Sequence, residues 1–348
     1  MEKFRKVFTF RGKIRESFYV PWKNRPAASP RGENRVSTLS AHILVGPTAS
    51  GKSAVAQYLA QLSRPPRPIL SADSMTVYRG MDVGTAKPDA AERAAVPSFG
   101  FDLADPDRTF SVGDYLAAMR AAAPAIAACR ATPIVVGGTG LYVKCLTEGL
   151  DSAAVADPVH RAAAEALLQA EGLEALQAAV RALDPAQYGR LRDPENPRRV
   201  VRAYELLASG HPLPVAEERP RPKVAGLFLP PDELRARIAR RARQMFAYGL
   251  VEEVRALRAK FPALSETARH AIGYEEAGLV LDGTISEEEG IRRTAVRTGQ
   301  YAKRQMTWFR HQADVVWVEV DPDHSTERIA GFVQKIWNSH GPASLRLS

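Results

Sequence analysis

The chain has 348 residues and a net charge of +9, and 45% of its residues are hydrophobic. This length exceeds the usual size of a single core, so we expect one large domain with an insertion or a second lobe. No apolar run reaches the roughly 18–20 residues of a membrane span. The two cysteines, Cys129 and Cys145, give neither a disulfide framework nor a metal-binding spacing, which favours a reducing, cytoplasmic setting.

Much of the positive charge lies in residues 1–40, which contain ten Lys and Arg against three Glu. This stretch has no sustained hydrophobic period and ends in a polar segment with prolines and a glycine, so we predict a flexible basic extension. Its basic, acid-poor composition is also typical of an organelle transit peptide. Because the rest of the chain carries little net charge, a polyanionic partner has to be inferred from local basic clusters.

The first strong motif is Gly46-Pro47-Thr48-Ala49-Ser50-Gly51-Lys52-Ser53, between a buried strand at 42–45 and a helix at 52–62. It matches G-x-x-x-x-G-K-[ST], a loop whose backbone N–H groups and following helix N-terminus surround a phosphate. Lys52 adds a positive charge, and the Ser53 hydroxyl is placed to hold Mg²⁺. The motif predicts a site for a di- or triphosphate, and taken alone it suggests ATP.

From residue 41 to about 150, apolar runs alternate with helical patterns, which predicts βα units and a mostly parallel sheet. Strands are predicted at 68–72, 99–103 and 133–136, and helices at 111–130 and 139–147. Ser111 and Asp114 form a capping-box pattern at the start of one helix, and Pro124 is expected to break or kink it.

The second half of the chain is mostly helical. A charged helical pattern with many prolines runs from 151 to 225, and a strand at 227–229 then rejoins the sheet. Asp232 is expected to cap a helix that reaches Lys260. Further helices are predicted at 265–281 and 285–312, followed by a strand at 315–320.

These patterns predict the α/β class: a P-loop NTPase-like parallel sheet flanked by helices, with a helical insertion lobe and a helical C-terminal part. The catalytic core would comprise residues 41–150 and 226–338. Residues 151–225 would form the insertion with its linker, and residues 339–348 a tail.

Polar residues and glycines follow two of the predicted strands. Asp73 comes directly after the second strand, so its carboxylate should face the phosphate loop as a Mg²⁺ ligand, a general base or a turn residue. Gly137, Gly138 and Gly140 follow the fourth strand and predict a close approach of the backbone to a ligand, with Thr139 available to bind a phosphate. This strand lacks the acidic residue that many P-loop ATPases use to hold Mg²⁺, which argues against an ordinary ATPase.

Basic residues cluster on three predicted helices, at 198–202, 235–243 and 300–310. In the second cluster Arg237 and Arg241 lie four residues apart, on one helix face. In the third, Trp308 and Phe309 lie among the basic residues, where they would pack in the core or stack on bases. A solvated helix face is the default interpretation of each cluster alone.

Together, five motifs in register resemble those of the tRNA dimethylallyltransferases: GPTASGKS at 46–53, Asp73-Ser74, GMDVGTAKP at 80–88, VVGGTGLY at 135–142 and YAKRQMTWFR at 301–310. The resemblance extends from about residue 41 to 320. It implies transfer of a dimethylallyl group from dimethylallyl diphosphate to N6 of adenosine 37, in tRNAs that read codons beginning with U. Diphosphate would be released.

The resemblance also implies roles for single residues. The loop 46–53 would hold the leaving diphosphate, with Mg²⁺ on Ser53, while Lys52, Thr139 and Arg241 would neutralise its charge. Asp73 would accept a proton from the adenine amine, and the target base would leave its stack to reach the site. The residues implied to contact the anticodon stem-loop are Asp73, Ser74, Met75, Thr76, Thr139, Arg161, Arg198, Arg199, Val200, Val201, Arg202, His270, Ala271, Ile272, Gly273, Tyr274, Glu275, Lys303, Arg304, Gln305, Met306, Thr307, Trp308, Phe309 and Arg310.

Two positions depart from the family pattern: Gly299 stands where Arg is common, and Glu275 stands where a basic residue often follows Gly-Tyr. We expect a monomer without membrane attachment. Three alternatives stay open: a free adenine-nucleotide isopentenyltransferase, a P-loop metabolite kinase, and a non-catalytic RNA-binding protein that relies on its basic extension. The long basic helical half favours tRNA over AMP or ADP, and the glycine-ended fourth strand argues against a kinase.

Overall fold

The computed structural model describes residues 39–150, 157–214 and 221–347. Apart from Leu39 and Ser40, the basic extension predicted at 1–40 lies outside the described residues. The same is true of 151–156 and 215–220, which belong to the predicted insertion and its linker.

The sheet is built from β1 (Ser40–Val45), β2 (Ile69–Ser71), β3 (Ser98–Phe99), β4 (Ile134–Gly137), β5 (Lys223–Phe228), β6 (Asp314–Glu319) and β7 (Ala343–Ser344). The first six strands are parallel and lie in the order β3-β2-β4-β1-β5-β6. In this register Val45, the last residue of β1, is paired with Gly137 of β4 and with Gly226 of β5. The loops that follow β1 and β4 therefore start side by side.

Helices cover both faces of this sheet. In chain order they are α1 (Lys52–Leu62), α2 (Ala90–Ala95), α3 (Val112–Ala128), α4 (Gly140–Glu148), α5 (Pro158–Leu183), α6 (Pro185–Tyr188), α7 (Pro197–Ala208), α8 (Pro231–Ala247), α9 (Leu250–Lys260), α10 (Glu266–Arg269), α11 (Tyr274–Leu281), α12 (Glu287–Gln312) and α13 (Thr326–His340). The predicted α/β class is confirmed. In the described ranges, no helix combines the length and apolarity needed to cross a membrane.

Within the described residues, the buried hydrophobic side chains form three clusters. Because side chains alternate along a strand, Ile43 and Val45 of β1 pack on one face of the sheet, with α3, α4, α9 and Phe309 of α12. Leu44 packs on the opposite face, with α1 and α13. Helices α5 and α7 bury a third cluster of their own, which includes Leu176 and Val200.

Two helices that we predicted as continuous are each divided at a glycine. The helix expected to reach Lys260 is α8 followed by α9, with Gly249 (φ 93°) between them, and its N-cap is Pro230 rather than Asp232. The helix expected at 265–281 is likewise divided at Gly273, also with φ 93°. Glycine adopts this left-handed conformation without the steric penalty of a side chain, so it turns the chain where a helix would otherwise continue.

Pro124 does not break the helix, because α3 is continuous through it from Val112 to Ala128. The capping box at its start is confirmed, with Asp114 N–H 3.2 Å from Ser111 Oγ and Ser111 N–H 2.8 Å from Asp114 Oδ2. The third strand is shorter than expected. It ends at Phe99, and a Cβ at the following residue, Gly100 (φ 87°), would lie 2.6 Å from the Ser71 carbonyl oxygen.

We predicted residues 339–348 as a tail. As far as Leu347, the last residue described, this segment is packed against the rest of the protein. Strand β7 pairs antiparallel with the first residues of β1, and Leu345 N–H donates to the Leu39 carbonyl at 2.7 Å. Leu345 and Leu347 are both buried in the core. Their alternation with polar neighbours is a strand pattern, too short to stand out in the sequence.

Candidate active site

The loop after β1 has the strand–loop–helix setting that its motif predicts. Gly46 has φ 148°, and a Cβ there would lie 2.6 Å from the Leu227 carbonyl oxygen, so this position requires glycine. Gly51, with φ 87°, precedes α1 in the left-handed conformation. Lys52 is the first residue of α1; its side chain is buried and its Nζ donates to the Pro47 carbonyl at 2.9 Å.

Two buried polar atoms near this loop have no hydrogen-bond partner in the described part of the chain: Ser50 Oγ and Arg241 Nε. Buried polar groups are nearly always paired, so each requires an explanation. Both can donate a hydrogen bond, and α8 carries Arg241 to the loop 46–53 together with Arg237. The Arg237 Nη1 atom lies 3.8 Å from where a Cβ of Gly51 would stand. This donor set fits an oxyanion such as a phosphate.

The charged groups at the loop act on one another. Burial lowers the pKa of Lys52 to about 8, Asp73 opposes this shift, and Arg241 adds to it. Burial also lowers the pKa of Arg241, again with Asp73 opposing. Two cations and one carboxylate thus share a site with little solvent, where an added anion would interact strongly with both cations.

Asp73 follows β2, as predicted, and the charge couplings place its carboxylate near Lys52 and Arg241. Its Oδ1 atom accepts a hydrogen bond from Met75 N–H at 2.9 Å. The Thr76 hydroxyl donates to the Asp73 carbonyl at 3.2 Å, so the turn 73–76 is held by its own side chains. Thr76 is buried, and Ser74 and Met75 are partly buried.

The glycine loop after β4 lies against this turn. A Cβ at Gly137 would be 2.0 Å from the Ala72 carbonyl oxygen, which explains why glycine is needed where the two strand ends meet. Thr139, which we expected to bind a phosphate, accepts a hydrogen bond from Ser74 N–H through its Oγ1 at 3.0 Å. In this structure Thr139 therefore joins the ends of β2 and β4.

Helix α12 presents two different faces at the 301–310 motif. Lys303, Arg304, Thr307 and Arg310 are exposed, whereas Gln305 and Phe309 are buried. Met306 and Trp308 are partly buried, and a Cβ at Gly140 would collide with the Trp308 ring at 2.1 Å. The side chains of Gln305 and Phe309, which we expected to contact RNA, are thus packed inside the protein, and the exposed residues of this segment are the ones that present their side chains to solvent.

Tyr301 belongs to the same inner face and was missed among the candidate site residues. Burial raises its pKa to about 12, Asp73 adds to the shift, and hydrogen bonds with Thr139 and Gln305 oppose it. Its spacing of four residues from Gln305 is the sequence signal that could have identified it.

The residues at 198–202, which we predicted to contact RNA, are likewise partly exposed and partly buried. Arg198 and Arg199 are exposed in the first turn of α7, while Val200 and Val201 are buried in the cluster shared with α5. Arg202 pairs with the buried Glu205 at 2.6 Å. The valine side chains therefore pack inward, and the arginines are the residues of this segment whose side chains are open to solvent. Arg161 is exposed on α5 and pairs with Glu165 at 2.9 Å.

The segment 270–275 is similarly divided. Ala271, Gly273 and Tyr274 are buried, and the Tyr274 hydroxyl donates to Glu253 at 2.5 Å. His270 is exposed and Ile272 is partly buried. Glu275, the departure from the family pattern, lies 2.6 Å from Arg297 and 3.2 Å from His270. Its negative charge is thus neutralised within the protein.

The loop 80–88 has a structural basis of its own. Lys87 is buried and ion-paired at 2.7 Å with both Asp82 and Asp102, and Val83 N–H donates to Glu253 at 2.8 Å. Together with α8 and the loop 46–53 it borders a groove of about 1780 Å³, which Arg237 and Arg241 also line.

The residues present fit a Mg²⁺ ion that is held mainly by a phosphate ligand. Within the described ranges, no group of three or more His, Cys, Asp or Glu side chains could hold a metal alone. Ser53 is exposed at the start of α1, and Asp73 supplies a nearby carboxylate. Oxygen donors of this kind, completed by phosphate oxygens and water, are what Mg²⁺ prefers.

Fold and site together define a P-loop α/β protein in which an oxyanion cradle adjoins a carboxylate and basic helices. A family model described as IPP transferase matches residues 76–312. The chain belongs to this family of transferases.

Known relatives match over most of the chain. The tRNA dimethylallyltransferase of Anaeromyxobacter dehalogenans (strain 2CP-C) is 45% identical over 300 residues, covering 84% of this chain and 98% of the relative. The crystal structure of the full-length tRNA isopentenylpyrophosphate transferase from Bacillus halodurans is 34% identical, with a TM-score of 0.60, and covers 86% of this chain and 97% of its own. A eukaryotic dimethylallyltransferase acting on tRNA shares the fold, with a TM-score of 0.63 at 20% identity, over 86% of this chain and 76% of its own.

Proposed function

We propose that the protein transfers the dimethylallyl group of dimethylallyl diphosphate to N6 of adenosine 37, in tRNAs that read codons beginning with U. The names of its relatives support the class of reaction. The observation that carries the proposal is the position of Asp73, whose carboxylate acts electrostatically on both Lys52 and Arg241. A proton acceptor beside an oxyanion cradle is what attack by an amine on an allylic diphosphate requires.

In this mechanism, the loop 46–53 binds the diphosphate through its backbone N–H groups. Lys52 and Arg241 neutralise the charge that develops on the diphosphate oxygen as the C–O bond breaks. The adenine N6 attacks the allylic carbon, and Asp73 accepts the proton that N6 loses. Thr139 holds the turn that carries Asp73. Mg²⁺, when bound, supplies further charge neutralisation, and Ser53 is the side chain that would hold it.

The RNA would lie across the exposed basic residues. Arg198 and Arg199 occupy the first turn of α7, where the helix dipole disfavours cations. Their placement therefore does not serve the stability of the helix, which supports contact with a polyanion. The exposed side of α12 adds Lys303 and Arg304 close to the inner face that borders the site. A free nucleotide would not need these distant cations.

The test combines purified protein, Mg²⁺, radiolabelled dimethylallyl diphosphate and an anticodon stem-loop with adenosines at positions 36–38. We expect label in the RNA, lost when adenosine 37 is replaced by guanosine and retained when adenosine 38 is replaced. Transfer to AMP or ADP in place of RNA would establish the free-nucleotide alternative. Transfer of phosphate from ATP to a metabolite, without prenylated RNA, would establish the kinase.

We also propose that the protein acts as a monomer in the cytoplasm and that ATP is not its substrate. Light scattering during size-exclusion chromatography tests the first point. For the last point, ATP should compete for the loop 46–53 without being hydrolysed. RNA-dependent hydrolysis of ATP would contradict it.

A further inference from the structure

The amide of Gln305 connects α12 to both loops of the oxyanion site. Its Oε1 atom accepts a hydrogen bond from Thr48 N–H at 2.8 Å, and its Nε2 donates to the Gly138 carbonyl at 2.9 Å. Thr48 lies within the loop 46–53, and Gly138 follows β4. The amide oxygen and the amide nitrogen are thus both bonded to the backbone of the site.

The side chain of Gln305 is closely surrounded by the protein. Gln305 is 5% exposed, and a Cβ at Gly138 would stand 2.1 Å from its Nε2. The same Cβ would be 3.3 Å from the Gly46 carbonyl oxygen, so the amide lies where the two loops meet. Glycine at position 138 is thus explained by the space that Gln305 occupies.

The resemblance implies RNA contact for the whole motif at 301–310, but its residues lie on different faces of α12. Lys303 and Arg304 are exposed, whereas Gln305, one residue further along the helix, is buried. A rotation of about 100° per residue accounts for this separation. One short segment therefore carries both the outward cations and the inward amide.

We propose that Gln305 is a positioning residue of the diphosphate site and not an RNA contact: it fixes the Thr48 N–H and the Gly138 backbone relative to α12. The inference rests on the proposed function for the identity of the anion. By fixing these two loops, Gln305 keeps the N–H groups of 46–53 directed at the ligand, and loss of the amide lets the loop relax.

The experiment compares Gln305→Met, which keeps the length of the side chain and removes the hydrogen bonds of the amide, with Lys303→Ala on the exposed face. Two dissociation constants are measured for each variant: inorganic diphosphate with Mg²⁺, and the anticodon stem-loop. For Gln305→Met we expect diphosphate to bind about tenfold more weakly, while RNA affinity changes less than about twofold. For Lys303→Ala we expect the reverse pattern.

Gln305→Glu provides a second variant in case the Met protein does not fold. Its carboxylate still accepts from Thr48 N–H but cannot donate to the Gly138 carbonyl, so diphosphate affinity should again fall and RNA affinity should not. Circular dichroism and thermal unfolding check that each variant is folded. The Michaelis constant for dimethylallyl diphosphate should rise in both variants, while that for RNA stays near the wild-type value.

A further variant, Gly138→Ala, displaces the same amide by placing a methyl group where the amide nitrogen lies. If Gln305 acts through Gly138, the double variant Gly138→Ala/Gln305→Ala should bind diphosphate no more weakly than the worse single variant. Weaker RNA binding with unchanged diphosphate affinity in Gln305→Met and Gln305→Glu would overturn the inference, as would unchanged values for both. The two dissociation constants do not depend on catalysis. A wild-type protein that binds both ligands without prenylating RNA would therefore refute the proposed function, while the binding data would still test the role of Gln305.

Discussion

The affinity for diphosphate should depend on the protonation of Lys52. Burial lowers the pKa of this lysine to about 8, close enough to neutrality for its charge to change in an ordinary titration. The protonated form attracts the anion and the neutral form does not. Affinity should therefore be highest below about pH 8 and fall as the pH rises above it.

The size of the effect follows from this pKa. Lys52 is protonated in about nine molecules out of ten at about pH 7 and in about one out of ten at about pH 9. If only the protonated form binds, affinity falls about tenfold over this range, or about 1.4 kcal/mol. Asp73 favours the charged lysine, so Asp73→Asn should move the fall in affinity to lower pH.

Isothermal titration calorimetry with inorganic diphosphate and Mg²⁺, at constant ionic strength, measures this dependence. Diphosphate itself titrates in the same range, so the control is Lys52→Met under identical conditions. The ratio of the two affinities isolates the contribution of the lysine. The reasoning is refuted if the profiles of wild type and Lys52→Met are parallel between about pH 7 and about pH 9.

Three further perturbations test other parts of the site and fold. Asp73→Asn should lower turnover roughly 10²–10⁴-fold, with little change in diphosphate affinity at a pH low enough to keep Lys52 protonated, and near-normal single-turnover rates would remove Asp73 from the role of base. Arg199→Ala should weaken RNA binding and reduce its dependence on log salt concentration by about 0.7–0.9, whereas an unchanged slope would exclude a phosphate contact. Gly84→Ala places a Cβ 2.3 Å from the Tyr274 ring, so urea unfolding should show a loss of about 1–3 kcal/mol; full stability would mean that the ring moves aside freely.

The sequence predicted those parts of the molecule that depend on neighbouring residues. The loop 46–53 is contiguous, so its conformation follows from its own glycines and the strand and helix beside it. Asp73 and Thr139 could be assigned to the site because parallel strands bring their carboxyl ends to one edge of a sheet. Hydrophobic periods that are long enough to be recognised locally also located five strands and the helices α1, α3, α4 and α12.

Errors arose where one residue overrides a regular pattern. Gly249 and Gly273 divide helices whose apolar spacing continues across them. Strand β7 is two residues long, and its stability comes from pairing with β1, which is remote in the chain. No local period identifies such elements, because the energy that forms them is in contacts between distant segments.

The family resemblance implies RNA contacts for whole segments, whereas in the structure only some residues of each segment are exposed. In 198–202 and 301–310, exposed cations alternate with residues such as Val200 and Gln305 that face inward. A helix turns about 100° per residue, so adjacent positions in one motif cannot all reach one ligand. The sequence marks the motif, and the packing of the helix selects which of its residues are available.

The phosphate loop, the α/β class and the position of Asp73 could thus be read from the chain alone, since they depend on contiguous residues and on a general property of parallel sheets. Long-range packing was needed to show that Arg241 reaches the loop and that the Gln305 amide holds it. Gln305 and Thr48 are 257 positions apart in the chain. Their hydrogen bond exists because the packing of the whole sheet and of α12 brings them together, and no pattern within either segment specifies its partner.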